Sequence, residues 1–565
     1  MSSDTATEAA HRVDDEAPRG LWPARLRRFG YAPPRPVTSR ERLVPPYATG
    51  GTRLWQLLGA SPAGALRMVR ISAWAGPLLV ALFAGLIRFW RLGSPHAVIF
   101  DETYYAKDAW SLLKQGYEGT WPDGANDKIL ADPQTIPLSD APAYVVHPPV
   151  GKWIIALGEG LYGLDPFGWR FMTAVLGTLS VLMLCRIGRR LFRSTLLGCL
   201  AGGLMAVDGL HFVMSRTALL DLVVMFWVLA AFGAVLVDRD RFRARLAAAL
   251  PPDGRPDAAV AQSFTMWWRP WLLVAAVCLG LAVGTKWNGL VFVAAFGLLT
   301  LLWDAAARRV AGARQPYLST LLRDVPVALA GALVTVAAYL ASWTGWFATS
   351  GGYHRQWAAE RGGWAWTRAL RSLWHYHHEV WNFHVGLDSA HRYESNPWSW
   401  LVAGRPVSYF WEGPKPGRDG CPAGLDQDCA REVLALGTPL LWWTGLAAIV
   451  YALYRWALRR DWRSGAILCG LAAGWLPWLR YQERTIFYFY AVVFVPFLCL
   501  AVAQLLGAMA GPPGSPERRR TVGVIAGGAL VLLIVWNFVY FFPVYTGQTI
   551  PRDEWQDRMW FGTWI

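Results

Sequence analysis

The chain has 565 residues, of which 54% are hydrophobic and only 16% charged. Soluble proteins carry roughly 25% charged residues, so this composition excludes a water-soluble fold of this size, and with it disorder and collagen-like repeats. A net charge of +15 raises the question of a nucleic-acid partner, which is settled by where the charge lies.

Residues 1–66 are rich in Pro and Arg without sustained periodicity, and they read as a mobile basic cytoplasmic tail. No early apolar core is present, so a cleavable signal peptide is not expected. Eleven apolar segments then follow, read as membrane spans: 71–92, 168–189, 196–214, 217–237, 270–285, 287–305, 325–345, 434–455, 465–480, 484–509 and 521–542. An odd number places the two termini on opposite sides. With the N-terminus inside, the inner segments hold 32 basic against 14 acidic residues, a balance of +18 that leaves −3 for the rest. Arg-rich inner loops are what the positive-inside rule requires. The basic charge therefore records membrane insertion, and no nucleic-acid partner is expected. The reading is a multi-pass plasma-membrane protein, N-terminus cytoplasmic and C-terminus extracytoplasmic.

The expected organisation is a transmembrane module over 67–345, a large extracytoplasmic loop over 346–432, and a second transmembrane module over 433–565. Two outer regions are long, 93–167 and 346–432. The second holds nine of the 34 Trp and six of the ten His. Amphipathic rings are stable at the headgroup interface, so most of these aromatics read as anchors.

Candidate chemistry clusters at the outer ends of the spans. Phe100-Asp101-Glu102-Thr103-Tyr104-Tyr105 follows the first span, and a carboxylate held near low dielectric suits a general base. The structural alternative is an acidic pair at the start of a surface helix. If helical, Asp101 and Glu102 point about 100° apart and need not share a site. His147-Pro148-Pro149-Val150-Gly151-Lys152 opens a short apolar stretch read as an interfacial helix, with Lys152 either meeting a phosphate or snorkelling. Asp208, His211, Ser215, Arg216 and Asp221 border one turn, and Lys286 and Asn288 another. Ionisable residues at such depth are functional candidates or structural pairs. His375, His378 and Glu379 share a helical face, but they match no established ligand pattern. A divalent cation there is the lesser alternative, so no metal or cofactor is assigned. Arg484, within YQERTIFYFY, could clamp a phosphate.

Together, FDETYYAKDAW, HPPVGKW, SRTALLD, GTKWNGL, SNPWSWLVAGRPVSYFW and LPWLRYQERTIFYFY make the chain resemble the bacterial protein O-mannosyltransferase family from about residue 71 onward. The resemblance implies an all-α integral membrane glycosyltransferase of the GT-C type. It would move mannose from a polyprenyl-phosphate-mannose donor to Ser or Thr hydroxyls of exported proteins, with inversion, and could act beside the export machinery. It implies Asp101 and Glu102 as the catalytic pair, with the Asp as base. Lys152, Arg216, Lys286 and Arg484 are the candidates for the donor phosphate. Tyr105, His147, His384, Glu394, Trp398 and Arg405 are the substrate-site candidates. The 87 residues of 346–432 are too few for the MIR repeats of eukaryotic members. Cys421 and Cys429 could pair outside, which that compartment permits without requiring. The alternatives are a GT-C enzyme acting on a lipid or wall glycan, and a multispan transporter or flippase. The absence of an internal repeat and the outer placement of the charges argue against a transporter.

Overall fold

The computed structural model describes residues 37–45, 59, 61–132, 138–511 and 515–565. Residues 1–36, 46–58 and 60 of the expected tail lie outside the described residues. Helix α1 (Ser39–Leu43) departs from the expectation of a mobile tail. Thr38 and Glu41 cap it reciprocally, and Leu43 is buried against Phe242, Leu246 and Leu250. Apolar burial and the bonds from Arg40 to the Ala247 and Leu250 carbonyls hold this short helix in place.

Each of the eleven apolar segments carries a helix. They are α2 (Pro62–Phe89), α5 (Pro166–Phe192), α6 (Thr195–Ala206), α8 (Leu220–Ala249), α9 (Pro270–Val283) and α10 (Gly289–Ala311), then α11 (Val325–Ser342), α13 (Pro439–Ala457), α14 (Trp462–Trp475), α15 (Val495–Ala510) and α16 (Glu517–Thr546). Among the described residues, seven are long and apolar enough to cross a membrane, counting α15 with the turn that precedes it. Helices α6 and α9 are apolar but shorter. The chain is thus a multi-pass membrane protein, and a count of eleven requires α6, α9, α13 and α14 to cross as well.

The bundle has a centre and a rim. In α8, 72% of the apolar stretch is buried, and in Tyr488–Ala510 it is 83%, against 11% in α11. A helix apolar all round is either buried by protein or faces lipid. The exposed Leu78, Leu79, Leu82 and Leu86 of α2 therefore read as lipid-facing.

The segment 196–214 is not one helix. It breaks at Val207 and Asp208 and resumes as α7 (Gly209–Met214). Asp208 causes the break: one carboxylate oxygen accepts the His211 N–H at 2.8 Å, and the other accepts Trp442 Nε1–H at 2.7 Å.

The longest helices between spans are α3 (Glu102–Gln115), α4 (Val150–Tyr162) and α12 (Arg368–Gly386). A small antiparallel sheet, unforeseen in the sequence, orders β1 (Val407–Glu412), β2 (Cys429–Ala435) and β3 (Thr549–Pro551) as β1-β2-β3. Val407 pairs with Ala435, and Cys429 with Pro551, which ties the large loop to the segment after α16. A Cys421–Cys429 disulfide closes the turn before β2.

Candidate active site

The connector from α2 to α3 sets the geometry. Phe100 takes a left-handed backbone (φ 46°), unusual for a bulky side chain, while its ring stacks on Tyr409 at 4.7 Å. Packing against Tyr409, Phe487 and Phe489 holds that conformation. The next residue, Asp101, begins α3 but makes no capping bond with its side chain. Its carboxylate is left available.

Glu102 is in the opposite situation. Fully buried, it meets Arg170 Nε and Nη2 at 2.8 Å each, and it also accepts the backbone N–H groups of Ile99 and Ala218 at 3.1 Å. Four donors occupy its two oxygens. Arg170 in turn donates to the carbonyls of Pro95 and Ala97 at 2.9 Å. Glu102 and Arg170 thus bind the connector, α3, α5 and the start of α8 into one unit. The two neighbouring acids divide their tasks, because successive helical positions point different ways.

Burial pushes the Asp101 carboxyl up to about 6, an effect that Lys286 opposes and Asp221 reinforces. Asp221 and Lys286 are themselves paired at 2.7 Å, and the Lys286 ammonium lies 5.1 Å from the centre of the Tyr490 ring. The second Asp221 oxygen, Oδ1, is buried with no hydrogen-bond partner among the described residues.

A cavity of about 310 Å³ adjoins this group. Lys286, Arg484, Asp221, Asn288, His147 and His384 are among its polar lining; Leu290, Trp381 and Val385 supply apolar wall and are more than half exposed. The cavity therefore joins cationic groups to an exposed apolar rim. Asp101 does not itself line it, but lies within electrostatic reach of two residues that do, Lys286 and Asp221.

His384 fixes one side. Its Nε2–H donates to the Val146 carbonyl at 3.0 Å, leaving Nδ1 to accept from Arg484 Nη2 at 3.1 Å. Burial lowers His384 to about 4, and it lowers His147 well below the usual imidazole range. The two rings stack with centroids 5.3 Å apart, and Tyr105 stands 6.2 Å from His147. At neutral pH both imidazoles are uncharged, so the wall's positive charge belongs to Lys286 and Arg484.

The remaining candidates lie elsewhere. Lys152 turns into the protein, pairs with Glu118 and lies 3.9 Å from Asp108, so it neither snorkels nor faces the cavity. Arg216 donates to the carbonyls of Arg88 and Trp90 at 2.7 Å, closing the end of α2. Glu394 is exposed and accepts the His391 N–H at 3.3 Å. Trp398 is exposed against Trp475, and Arg405 bonds the carbonyls of Arg392 and Ile565. Sequence reasoning missed Arg170 and Glu118. An arginine within a span is costly and signals a buried partner, so Arg170 was recoverable; Glu118 carried no signal.

Two family models match the chain. Residues 78–342 match dolichyl-phosphate-mannose-protein mannosyltransferase, and residues 369–564 match the C-terminal four-transmembrane region of protein O-mannosyltransferase. The chain belongs to the protein O-mannosyltransferase family. It is 40% identical over 512 residues to the polyprenol-phosphate-mannose–protein mannosyltransferase of Mycobacterium tuberculosis, covering 88% of this chain and 92% of that one. The Corynebacterium glutamicum enzyme of the same name is 34% identical over 505 residues, covering 86% and 92%. The fold is also that of the Saccharomyces cerevisiae Pmt1–Pmt2 complex bound to the sugar donor: TM-score 0.66 at 14% identity, covering 87% of this chain and 92% of that one. The protein is accordingly a multi-pass membrane glycosyltransferase, a mannosyltransferase by family.

Proposed function

We propose that this enzyme transfers mannose from polyprenyl-phosphate-mannose to Ser or Thr hydroxyls of exported proteins at the outer face of the plasma membrane. The observation that carries this reading is the cavity that joins Lys286 and Arg484 to an exposed apolar rim beside Asp101. A lipid-linked sugar phosphate has this division of character: an anionic linker at the surface and an apolar chain in the bilayer. The names of the bacterial relatives give the same donor and acceptor class.

In this reading Asp101 is the general base. A Ser or Thr hydroxyl is a weak nucleophile until a positioned carboxylate takes its proton. The acceptor oxygen attacks the anomeric carbon from the face opposite the phosphate, and the carbon–oxygen bond to phosphate breaks with its electron pair. The anomeric configuration inverts, and the proton rests on Asp101. The polyprenyl phosphate leaves as an anion, so charge stabilisation matters more than protonation, and Lys286 and Arg484 supply it. Asp221 holds Lys286 toward the site. Glu102 positions Asp101 without reacting.

The outer-face assignment rests on the charge balance of the loops. That balance supports a cytoplasmic N-terminus and an extracytoplasmic C-terminus. Detergent-solubilised enzyme supplied with polyprenyl-phosphate-mannose and a Ser/Thr-rich peptide tests the reaction. Mannosyl-peptide is the expected product; transfer only to lipid or glycan would overturn the acceptor assignment.

A further inference from the structure

The loop after α11 and the first half of α12 bring three ligating side chains to one point. His375 and Glu379 are four residues apart on α12 and so share one face. His354 reaches them from the loop, 21 residues earlier in the chain. Its Nε2 lies 3.0 Å from Glu379 Oε1, and His375 Nε2 lies 3.2 Å from the same oxygen. The ligand atoms of all three fall within 4.8 Å of one another. Trp357 stacks on the His375 ring at 4.1 Å, with planes 14° apart, which fixes the direction of the imidazole edge. All three side chains are partly exposed, so an ion and its water can reach them. His378, the other histidine of the same helical face, is not part of the cluster.

We propose that His354, His375 and Glu379 form a binding site for a divalent transition cation of the zinc class. Two imidazole Nε2 atoms and one carboxylate are ligands that suit such an ion, and three protein ligands leave a fourth tetrahedral position for water. The donor set holds no thiolate and only one carboxylate, which disfavours a soft monovalent ion and an oxygen-only calcium site. The ion cross-links the 350–358 loop to α12. That helix bonds the Val145 backbone through Tyr376 Oη, at 3.1 Å to the N–H and 2.7 Å to the carbonyl, and ends in the His384 that meets Arg484. The site lies away from the reacting atoms and braces the helix that forms one cavity wall. Its role is positioning.

Cobalt(II) titration of the chelator-treated, full-length protein in detergent is the test, read by the visible absorption of cobalt in a low-symmetry nitrogen–oxygen site. One equivalent is expected to bind. His354→Ala, His375→Ala and Glu379→Gln should each weaken binding by at least the ~10–100-fold seen on loss of mere supporting contacts. His378→Ala should bind as the unaltered protein does. Zinc should raise the thermal transition of the unaltered protein and leave that of Glu379→Gln unmoved. Absence of stoichiometric cobalt binding, or binding by the three ligand variants as tight as that of the unaltered protein, would overturn the site and leave a hydrogen-bonded His–Glu–His cluster. The outcome is independent of which acceptor the enzyme uses.

Discussion

Glu102 and Arg170 form a fully buried, two-point ion pair, with Nε–Oε1 and Nη2–Oε2 both at 2.8 Å. The pair explains how Asp101 and Glu102, adjacent in sequence and alike in chemistry, come to stand in different surroundings. Glu102 fixes the connector, and the Asp101 side chain makes no capping bond at the start of α3.

Glu102→Gln should therefore behave as a folding defect. It leaves Arg170 charged and buried without its counter-ion, and breaking such a pair costs about 3–5 kcal/mol. The thermal transition in detergent should fall sharply, whereas that of Asp101→Asn should stay near the unaltered value. Equal transitions for the two variants would contradict the division of roles.

The pH dependence follows from Asp101. Its carboxyl is raised to about 6, chiefly by burial, and a base works only when ionised. The sign is thus that kcat/KM is flat above about pH 6 and falls on acidification, by roughly tenfold per unit well below it. A profile that rises on acidification through pH 6 would point to a general acid instead.

Arg484 and Lys286 should act on the donor. A hydrogen bond to a charged group contributes about 1.5–3 kcal/mol, so Arg484→Gln is expected to raise the donor KM by about 10–100-fold. Lys286→Met also strands the buried Asp221, so Asp221→Asn combined with it should recover thermal stability without recovering donor binding. Donor titrations at saturating peptide separate the two effects.

Lys152 gives a contrasting case. It is buried with Glu118 and Asp108, and burial pushes Asp108 up to about 7. Lys152→Met should lower thermal stability by about 3–5 kcal/mol, and adding Glu118→Gln should return part of it. A raised donor KM in a stably folded Lys152→Met protein would restore Lys152 to the phosphate site.

Much of the fold could be read from hydropathy, because spanning helices must satisfy their backbones internally and so require long apolar runs. Each of the eleven apolar segments carries a helix, and among the described residues seven of these are long and apolar enough to cross a membrane. The break at Asp208 was not foreseen, since one capping carboxylate among apolar neighbours barely changes the hydropathy. Strand β2 (CAREVLA) is a short, mostly buried run, and periodicity cannot separate such a run from helix. At the site, Lys286 and Arg484, expected as phosphate candidates, line one cavity with His147 and His384, expected separately as substrate-site candidates. Lys152 and Arg216 share their chemistry and depth but are turned elsewhere by Glu118 and by the carbonyls ending α2. Residue type and depth pointed to candidates; only tertiary packing shows which cationic groups line the cavity and which are turned away from it.

The central claim, that Asp101 is the base that takes the acceptor's proton, is tested most directly by one measurement. Asp101→Asn is purified beside the unaltered protein, and mannosyl-peptide formation from polyprenyl-phosphate-mannose is followed at pH 7.5. The account predicts an unchanged thermal transition and donor affinity with a rate reduced by about 10²–10⁴-fold. An Asp101→Asn protein that transfers mannose at the unaltered rate would contradict it.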